Sequence, residues 1–192
     1  MESIENLIKE LTSGDDERAE ASVVKIAVFG SDVLPALKKT ISSADPDDRW
    51  WALRAAAEIP SPETSDLLVN ALDDPDPSVR QCAALGLRLV PDPQAVPKLI
   101  ASLDDRDPLF VSLVAAALIA IGEPAVPALL VIMENRARTV RLEAVRALAL
   151  IGDQRAIPAL FAALDEDSAL MEYWASEGLE RLGVGMTFFN PG

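Results

Sequence analysis

The sequence predicts an all-α fold, a right-handed α-solenoid of six helix pairs with a repeat of 30–31 residues. The first observation is a series of helix-stopping residues at that spacing, namely Gly30, Pro60, Pro91, Gly122, Gly152 and Gly183. A second series with the same period consists of Leu37, Leu68, Leu99, Leu129 and Leu160. Independent series that share one period of this length are the signature of a repeat architecture.

Each repeat is predicted to contain a first helix, called helix A, an acidic turn, and a second helix, called helix B. The predicted units are 1–30, 31–60, 61–91, 92–122, 123–152 and 153–183, followed by a C-terminal cap over 184–192. A single pair of short helices cannot bury its apolar face alone, so stacked neighbours must share one core. The whole chain, 1–192, is therefore predicted to form one domain.

Composition supports helices and argues against several classes of ligand. Half of the residues are hydrophobic but only 5% are aromatic, so Ala and Leu, the strongest helix formers, dominate the apolar positions. The net charge of −14 would repel nucleic acid. No uncharged run approaches the length of a membrane-spanning helix, and the N-terminal residues do not resemble a signal peptide. We expect a cytoplasmic protein that binds neither nucleic acid nor membranes.

The residue types needed for common active sites are scarce. The chain has no histidine and a single cysteine, Cys82, so the usual pairs of nucleophile and general base are unavailable. A metal site built from cysteines or histidines is excluded for the same reason. We therefore expect no catalytic residues, no metal and no cofactor.

Two stretches carry a likeness to a known family. The segment DPDPSVRQCAALGLRLVPDPQAVPKLIASLDD resembles a HEAT repeat of the short kind found in phycobilisome-lyase-like HEAT proteins, and RTVRLEAVRALALIGDQRAIPALFAALDED matches equally well. The resemblance implies an array that binds another protein. It also implies an alternative, because some members of that family assist the attachment of bilins to phycobiliproteins or their detachment. No residue of this chain is assigned to bilin by the resemblance.

Four arginines occur early in the predicted helices B. We interpret them as a structural ladder in which each arginine pairs with a turn aspartate between units, although they could instead present cations to an anionic ligand. The turn aspartates are interpreted as helix caps, with a docking edge for a basic partner, or weak binding of divalent ions, as the alternatives. The ladder arginines are Arg18, Arg49, Arg80 and Arg141.

The helix B of unit four is the exception in the array, because it has no charged residue from Pro108 to Gly122. A helix that is apolar on all sides is either buried on all sides or meets a partner. We predict a concave, partner-binding surface with an apolar centre and flanking cations, for a protein or peptide ligand or for a second copy of this chain. Its predicted residues are Trp51, Arg54, Arg88, Leu113, Ala116, Ala117, Arg146 and Trp174.

Overall fold

The computed structural model describes residues 3–135 and 137–184, and within them every regular element is helical. In this described part of the chain, twelve α-helices follow one another as six A–B pairs, which confirms the predicted α-solenoid. The helices A are α1 (Ile4–Leu11), α3 (Leu34–Ile41), α5 (Pro62–Ala71), α7 (Val96–Ser102), α9 (Val126–Asn135) and α11 (Ile157–Leu164). The helices B are α2 (Asp16–Ala27), α4 (Pro46–Ala56), α6 (Pro77–Leu89), α8 (Pro108–Ile121), α10 (Arg138–Ile151) and α12 (Ala169–Arg181).

The helices B begin at capping residues that the sequence places at regular intervals. The side chains of Asp15, Asp45, Asp76 and Asp107 each accept a hydrogen bond from a backbone N–H in the first turn of α2, α4, α6 and α8. Ser168 does the same for α12, whereas Ala137 precedes α10 without a side-chain cap. These side chains satisfy amides that have no acceptor within the helix. The capping role of these turn aspartates is thus a structural one.

The ends of the helices follow the predicted stops. Gly152 ends α10 in the left-handed conformation, with φ 71° and ψ 33°, which glycine adopts without the steric cost of a Cβ atom. The connections that lead into α3, α7, α9 and α11 each contain a 3₁₀ turn of three or four residues, and the α-helix begins at the next residue. The turns reverse the chain between one unit and the next.

Neighbouring units stack through their helices B. Each helix B packs against the helix B of the next unit along the array, and the helices A of adjoining units make fewer contacts. One apolar core runs from Leu53 to Leu179, and a second, from Leu7 to Ile59, shares α4 with it. The helices B are the more closely packed layer of the stack, and we infer that they form its inner side, because the small rotation between repeats gives a solenoid its curvature.

Small residues allow this close approach. Ala52, Ala83, Ala144 and Ala175 occupy one register of the helices B, and all four are fully buried. At Gly178 of α12, a Cβ atom would lie 2.9 Å from the Cα atom of Ala149. Because the obstructing atom belongs to the backbone, only glycine fits there without moving α10.

No single helix among the described residues is long and apolar enough to cross a membrane. The consecutive segments Pro108–Ile121 and Glu123–Glu134 meet that length and composition only when they are joined, and a bend of 114° separates them. Most of the predicted C-terminal cap, residues 185–192, lies outside the described residues.

Candidate functional site

Ion pairs between successive units form along the turn side of the helices B. Arg49 of α4 donates two hydrogen bonds to Asp74 in the next turn, Nε to Oδ2 at 2.8 Å and Nη2 to Oδ1 at 2.7 Å. The two side chains are largely buried, with 12% of the Arg49 side chain and 11% of the Asp74 side chain exposed. Arg49 also donates to the backbone oxygens of Ser43 and Ala44 in its own turn. One guanidinium therefore joins its own turn to the turn of the following unit.

The same arrangement recurs with weaker geometry in unit three and with a glutamate in unit five. Arg141 donates to Glu166 at 3.2 Å and 2.5 Å. Arg80 lies 3.9 Å from the carboxylate of Asp105, too far for a hydrogen bond, and its guanidinium lies 5.5 Å from the ring centroid of Phe110. In all three pairs the carboxylate follows the arginine by 25 residues.

Arg18 departs from the predicted ladder, and the helix caps explain why. Arg49, Arg80 and Arg141 each lie four residues after the cap of their helix, whereas Arg18 lies only three residues after Asp15. Arg18 therefore points along a different side of α2 and pairs with Glu10 of its own unit at 2.6 Å and 2.8 Å. The ladder position of unit one is held by Ala19, which is buried.

Of the units that are followed by another helix B, the two without a ladder arginine also lack its acceptor. The acceptor position lies two residues before the cap of the next helix B and holds Asp74, Asp105 and Glu166 in the paired units. After Ala19 this position is Ser43, and after Val111 it is Asn135. Cation and carboxylate are thus present together or absent together, as expected when an unpaired charge would be costly at a half-buried position.

The Arg49–Asp74 pair lowers the pKa of its carboxyl group. Partial burial works to raise the pKa of Asp74, but the hydrogen bonds from Arg49 and from the backbone N–H of Asp76 outweigh it, and the pKa lies below its ordinary value of 3.8. The hydrogen bond to Asp74 correspondingly raises the pKa of Arg49. Both groups therefore remain charged throughout the neutral range.

Beyond the ladder, the residues nine and thirteen positions after the cap of each helix B are exposed or partly exposed. In α6 and α8, which pack against each other, these positions are Leu85, Leu89, Ala116 and Ala120, here called the helix B patch. Leu85 is 37% exposed and Leu89 is 54% exposed, and neither is a core residue. The same positions of α2 hold Val24 and Val28, at 68% and 85% exposure.

Charged residues border the helix B patch on both sides. In α4 the equivalent positions are Arg54 and Glu58, joined by a hydrogen bond of 2.5 Å, and Arg54 also reaches Glu20 of α2 at 3.1 Å. In α10 the guanidinium of Arg146 donates to Glu143 at 2.9 Å. Arg88 is exposed, one position before Leu89. The flanking cations predicted from the sequence thus lie near the patch, two of them neutralised by carboxylates.

The predicted apolar centre in unit four is only partly available to a ligand. Ala116 is partly exposed, and Leu113 is half-buried against the main core. Ala117 is fully buried, so its expected place on the binding surface was wrong. It lies in the register of Gly86 and Gly178, where neighbouring helices approach most closely. A rotation of about 100° per residue separates Ala117 from the exposed side of Ala116.

The two tryptophans predicted as binding anchors, Trp51 and Trp174, each lie six residues after the cap of their helix. Trp51 packs against the N-terminal core, and Trp174 packs against the main core, while both remain partly exposed. Each is paired edge-to-face with the preceding aromatic residue, Trp50 at 4.8 Å and Tyr173 at 5.1 Å between ring centroids. The prediction overlooked Leu85, Leu89, Val24 and Val28, although their shared distance from the caps distinguishes them from the core positions.

The lone cysteine is placed for packing. Cys82 is 6% exposed, and burial raises the pKa of its thiol to about 12. Its Sγ lies 3.5 Å from the backbone oxygen of Trp50, which makes it a weak donor to the neighbouring unit. Since the thiolate is the nucleophile and the metal ligand, Cys82 is inert at neutral pH. Among the described residues no group of three or more His, Cys, Asp or Glu side chains is positioned to hold a metal ion.

Stacked helix pairs that share cores with their neighbours define an α-solenoid of the kind that serves as a scaffold for interactions. A family model for HEAT repeats matches residues 33–120, 65–137 and 112–180, which together span most of the chain. The chain belongs to the HEAT-repeat family. No curated protein sequence matches it.

Solved structures share the fold at low sequence identity. A chain from the CpcE–CpcF complex of phycocyanin lyase from Nostoc sp. PCC7120 is 22% identical, with a TM-score of 0.61, over 75% of this chain and 96% of that one. YIBA of E. coli is 17% identical, with a TM-score of 0.61, over 94% of this chain and 73% of that one. A designed armadillo repeat protein, solved with the peptide (KR)4, is 18% identical, with a TM-score of 0.53, over 94% and 100% of the two chains. These likenesses show the fold alone.

Proposed function

We propose that this chain is a non-enzymatic scaffold that binds a partner protein or peptide on the helix B patch. The observation that carries the proposal is the exposure of Leu85 and Leu89, on the inner side of the array, beside the small residues Ala116 and Ala120. Two exposed leucines and two alanines in register on adjoining helices form an apolar strip instead of isolated side chains. A polar rim, with Arg54 and Arg146 on either side, completes the usual anatomy of a protein interface.

The test is substitution of the patch with a matched control on the other side of the array. Leu89→Lys and Ala116→Arg are expected to keep the helical content and melting temperature, because both positions reach solvent. Binding of the partner should weaken at least about tenfold, which corresponds to about 1.4 kcal/mol. Phe161→Lys, which changes a 43% exposed residue of helix A, should leave binding unchanged.

Two outcomes would contradict the proposal. If the folded Leu89→Lys and Ala116→Arg variants bind the partner as well as the unmodified chain, the patch is not the interface. If Phe161→Lys weakens binding as much as they do, the loss is not specific to the helix B side. The state of association of the purified chain, compared with that of the Leu89→Lys variant by light scattering, distinguishes a second copy of this chain from another protein as the occupant.

The alternative role in bilin attachment or detachment draws on the likeness to the phycocyanin lyase complex, which is a likeness of fold. An apolar strip would also suit a tetrapyrrole, which absorbs visible light when bound. Absorbance of the protein after incubation with a bilin, compared between the unmodified chain and Leu89→Lys, tests this alternative directly.

A further inference from the structure

A groove with acidic and aromatic walls lies where the first three helices B begin. It encloses about 790 Å³ between the turn that follows α1 and the first turns of α2, α4 and α6. This volume lies within the range of ligand-binding clefts, about 300–1,000 Å³. The groove is separate from the helix B patch, whose residues do not line it.

The charge of the groove has one sign. Five carboxylates line it, and none of the lining residues is a lysine or an arginine; the carboxylates are Asp16, Glu20, Asp45, Asp47 and Asp48. Three of them already have partners, because Asp45 caps the N–H of Asp47, Ser43 donates to Asp48, and Arg54 reaches Glu20. Asp16 and Asp47 are exposed and form no ion pair within the described part of the chain.

The aromatic wall consists of Trp50 and Trp51. Their rings pack edge-to-face with centroids 4.8 Å apart. The planes of the two indoles therefore point in different directions. Each indole packs on a different core, Trp50 on the main core and Trp51 on the N-terminal core, and each retains partial exposure. Anchored in this way, the rings present aromatic surface without losing side-chain freedom when a ligand binds.

We propose that this groove binds a basic segment of a polypeptide, with lysine or arginine side chains between the tryptophans and the carboxylates. Cations gain from a carboxylate and from the face of an indole, and tryptophan is the best aromatic partner for them. Arginine suits the site particularly well, since its planar guanidinium stacks on rings and pairs with carboxylates in the same plane. An anionic ligand would be repelled by the same five carboxylates.

The inference rests on the proposed function in that the ligand is again a polypeptide, and it adds a second contact surface to the helix B patch. The patch supplies apolar contact, and the groove selects a partner whose sequence carries basic residues near its apolar anchor. The net charge of −14 would speed the approach of such a partner.

The test uses a fluorescently labelled octa-arginine peptide and two double variants of the full chain. Asp16→Asn with Asp47→Asn removes two first-turn carboxylates from the groove. Glu63→Gln with Glu172→Gln removes two exposed first-turn carboxylates from α5 and α12 and serves as the control with the same change in net charge. Anisotropy at about 0.15 M salt, where distant charges are screened, reports peptide affinity. Tryptophan emission reports contact with the groove, since it holds two of the three tryptophans.

We expect the unmodified chain to bind the peptide with a change in tryptophan emission. The groove variant should bind at least about fivefold more weakly, and the control should differ by less than about twofold. Absence of binding to the unmodified chain, or equal loss in both variants, would overturn the inference. Leu89→Lys should bind the peptide normally. If the unmodified chain does not bind the peptide but still binds its partner in a way that depends on Leu89, the groove is refuted and the helix B patch stands.

Discussion

Phe110→Ala is expected to lower the free energy of unfolding by about 3–5 kcal/mol, the range for truncating a buried aromatic residue. Phe110 is 1% exposed and lies in the first turn of α8, in the core that units three and four share. The substitution leaves a cavity in the contact between these units and removes the ring over which the guanidinium of Arg80 lies. Partial collapse of the surrounding side chains cannot recover both losses.

The control is Phe161→Ala, because Phe161 of α11 is 43% exposed. Its loss should cost less than about 1 kcal/mol, since much of the ring already meets water. Urea unfolding followed by circular dichroism measures both values, and the melting temperature of Phe110→Ala should fall by about 6–20 °C. Equal effects of the two substitutions would show that the stack of units does not bury Phe110.

Arg49→Ala is expected to lower stability by about 1–3 kcal/mol, since it leaves the carboxylate of Asp74, whose side chain is only 11% exposed, without its cation. The Asp74→Asn variant and the double variant complete a double-mutant cycle, whose coupling energy we expect to be about 1–2 kcal/mol at neutral pH. Arg80→Ala should cost less, about 0.5–2 kcal/mol. Arg80 reaches its carboxylate at only 3.9 Å, and its Nε atom has no hydrogen-bond acceptor in the described structure.

Acid should remove the Arg49–Asp74 coupling in a defined direction. Because the folded pKa of Asp74 lies below its unfolded value of 3.8, folding favours the ionised carboxyl group. This contribution to stability is present above the unfolded pKa and is lost as the pH falls through the folded pKa. Urea midpoints measured between about pH 6 and pH 2 should therefore fall more for the unmodified chain than for Asp74→Asn. Parallel curves for the two proteins would contradict the assignment.

The sequence predicted the array because the signals for it are local. Caps such as Asp76 and stops such as Gly152 act on the residues beside them, so their spacing identifies the helices without knowledge of the tertiary fold. Arg18 was misassigned to the ladder because the position of a side chain on a helix is counted from its cap, and Asp15 is one residue nearer than the pattern requires. A single residue of register moves a side chain by about 100° around the helix.

The binding surface was harder to predict because core and surface share the same apolar residue types. Ala116 and Ala117 are identical in chemistry, yet the first is partly exposed and the second lies in the helix contact. Leu85 and Leu89 resemble core leucines in sequence, and their exposure follows from how the successive helices B pack and which sides they leave open. The groove lined by Trp50 and Trp51 could not be predicted either, because it depends on the distance in space between turns that are 30 residues apart along the chain.

Site-specific photo-crosslinking tests most directly whether the helix B side is the surface that meets a partner. A photoreactive phenylalanine analogue placed at Leu89 should give a discrete crosslinked product in the native cell, and the same analogue at Phe161 should give none. The product at Leu89 should disappear when Ala116→Arg is introduced into the same chain, because both residues belong to one patch. A product at Phe161 in place of Leu89, or a Leu89 product that persists beside Ala116→Arg, would contradict the account.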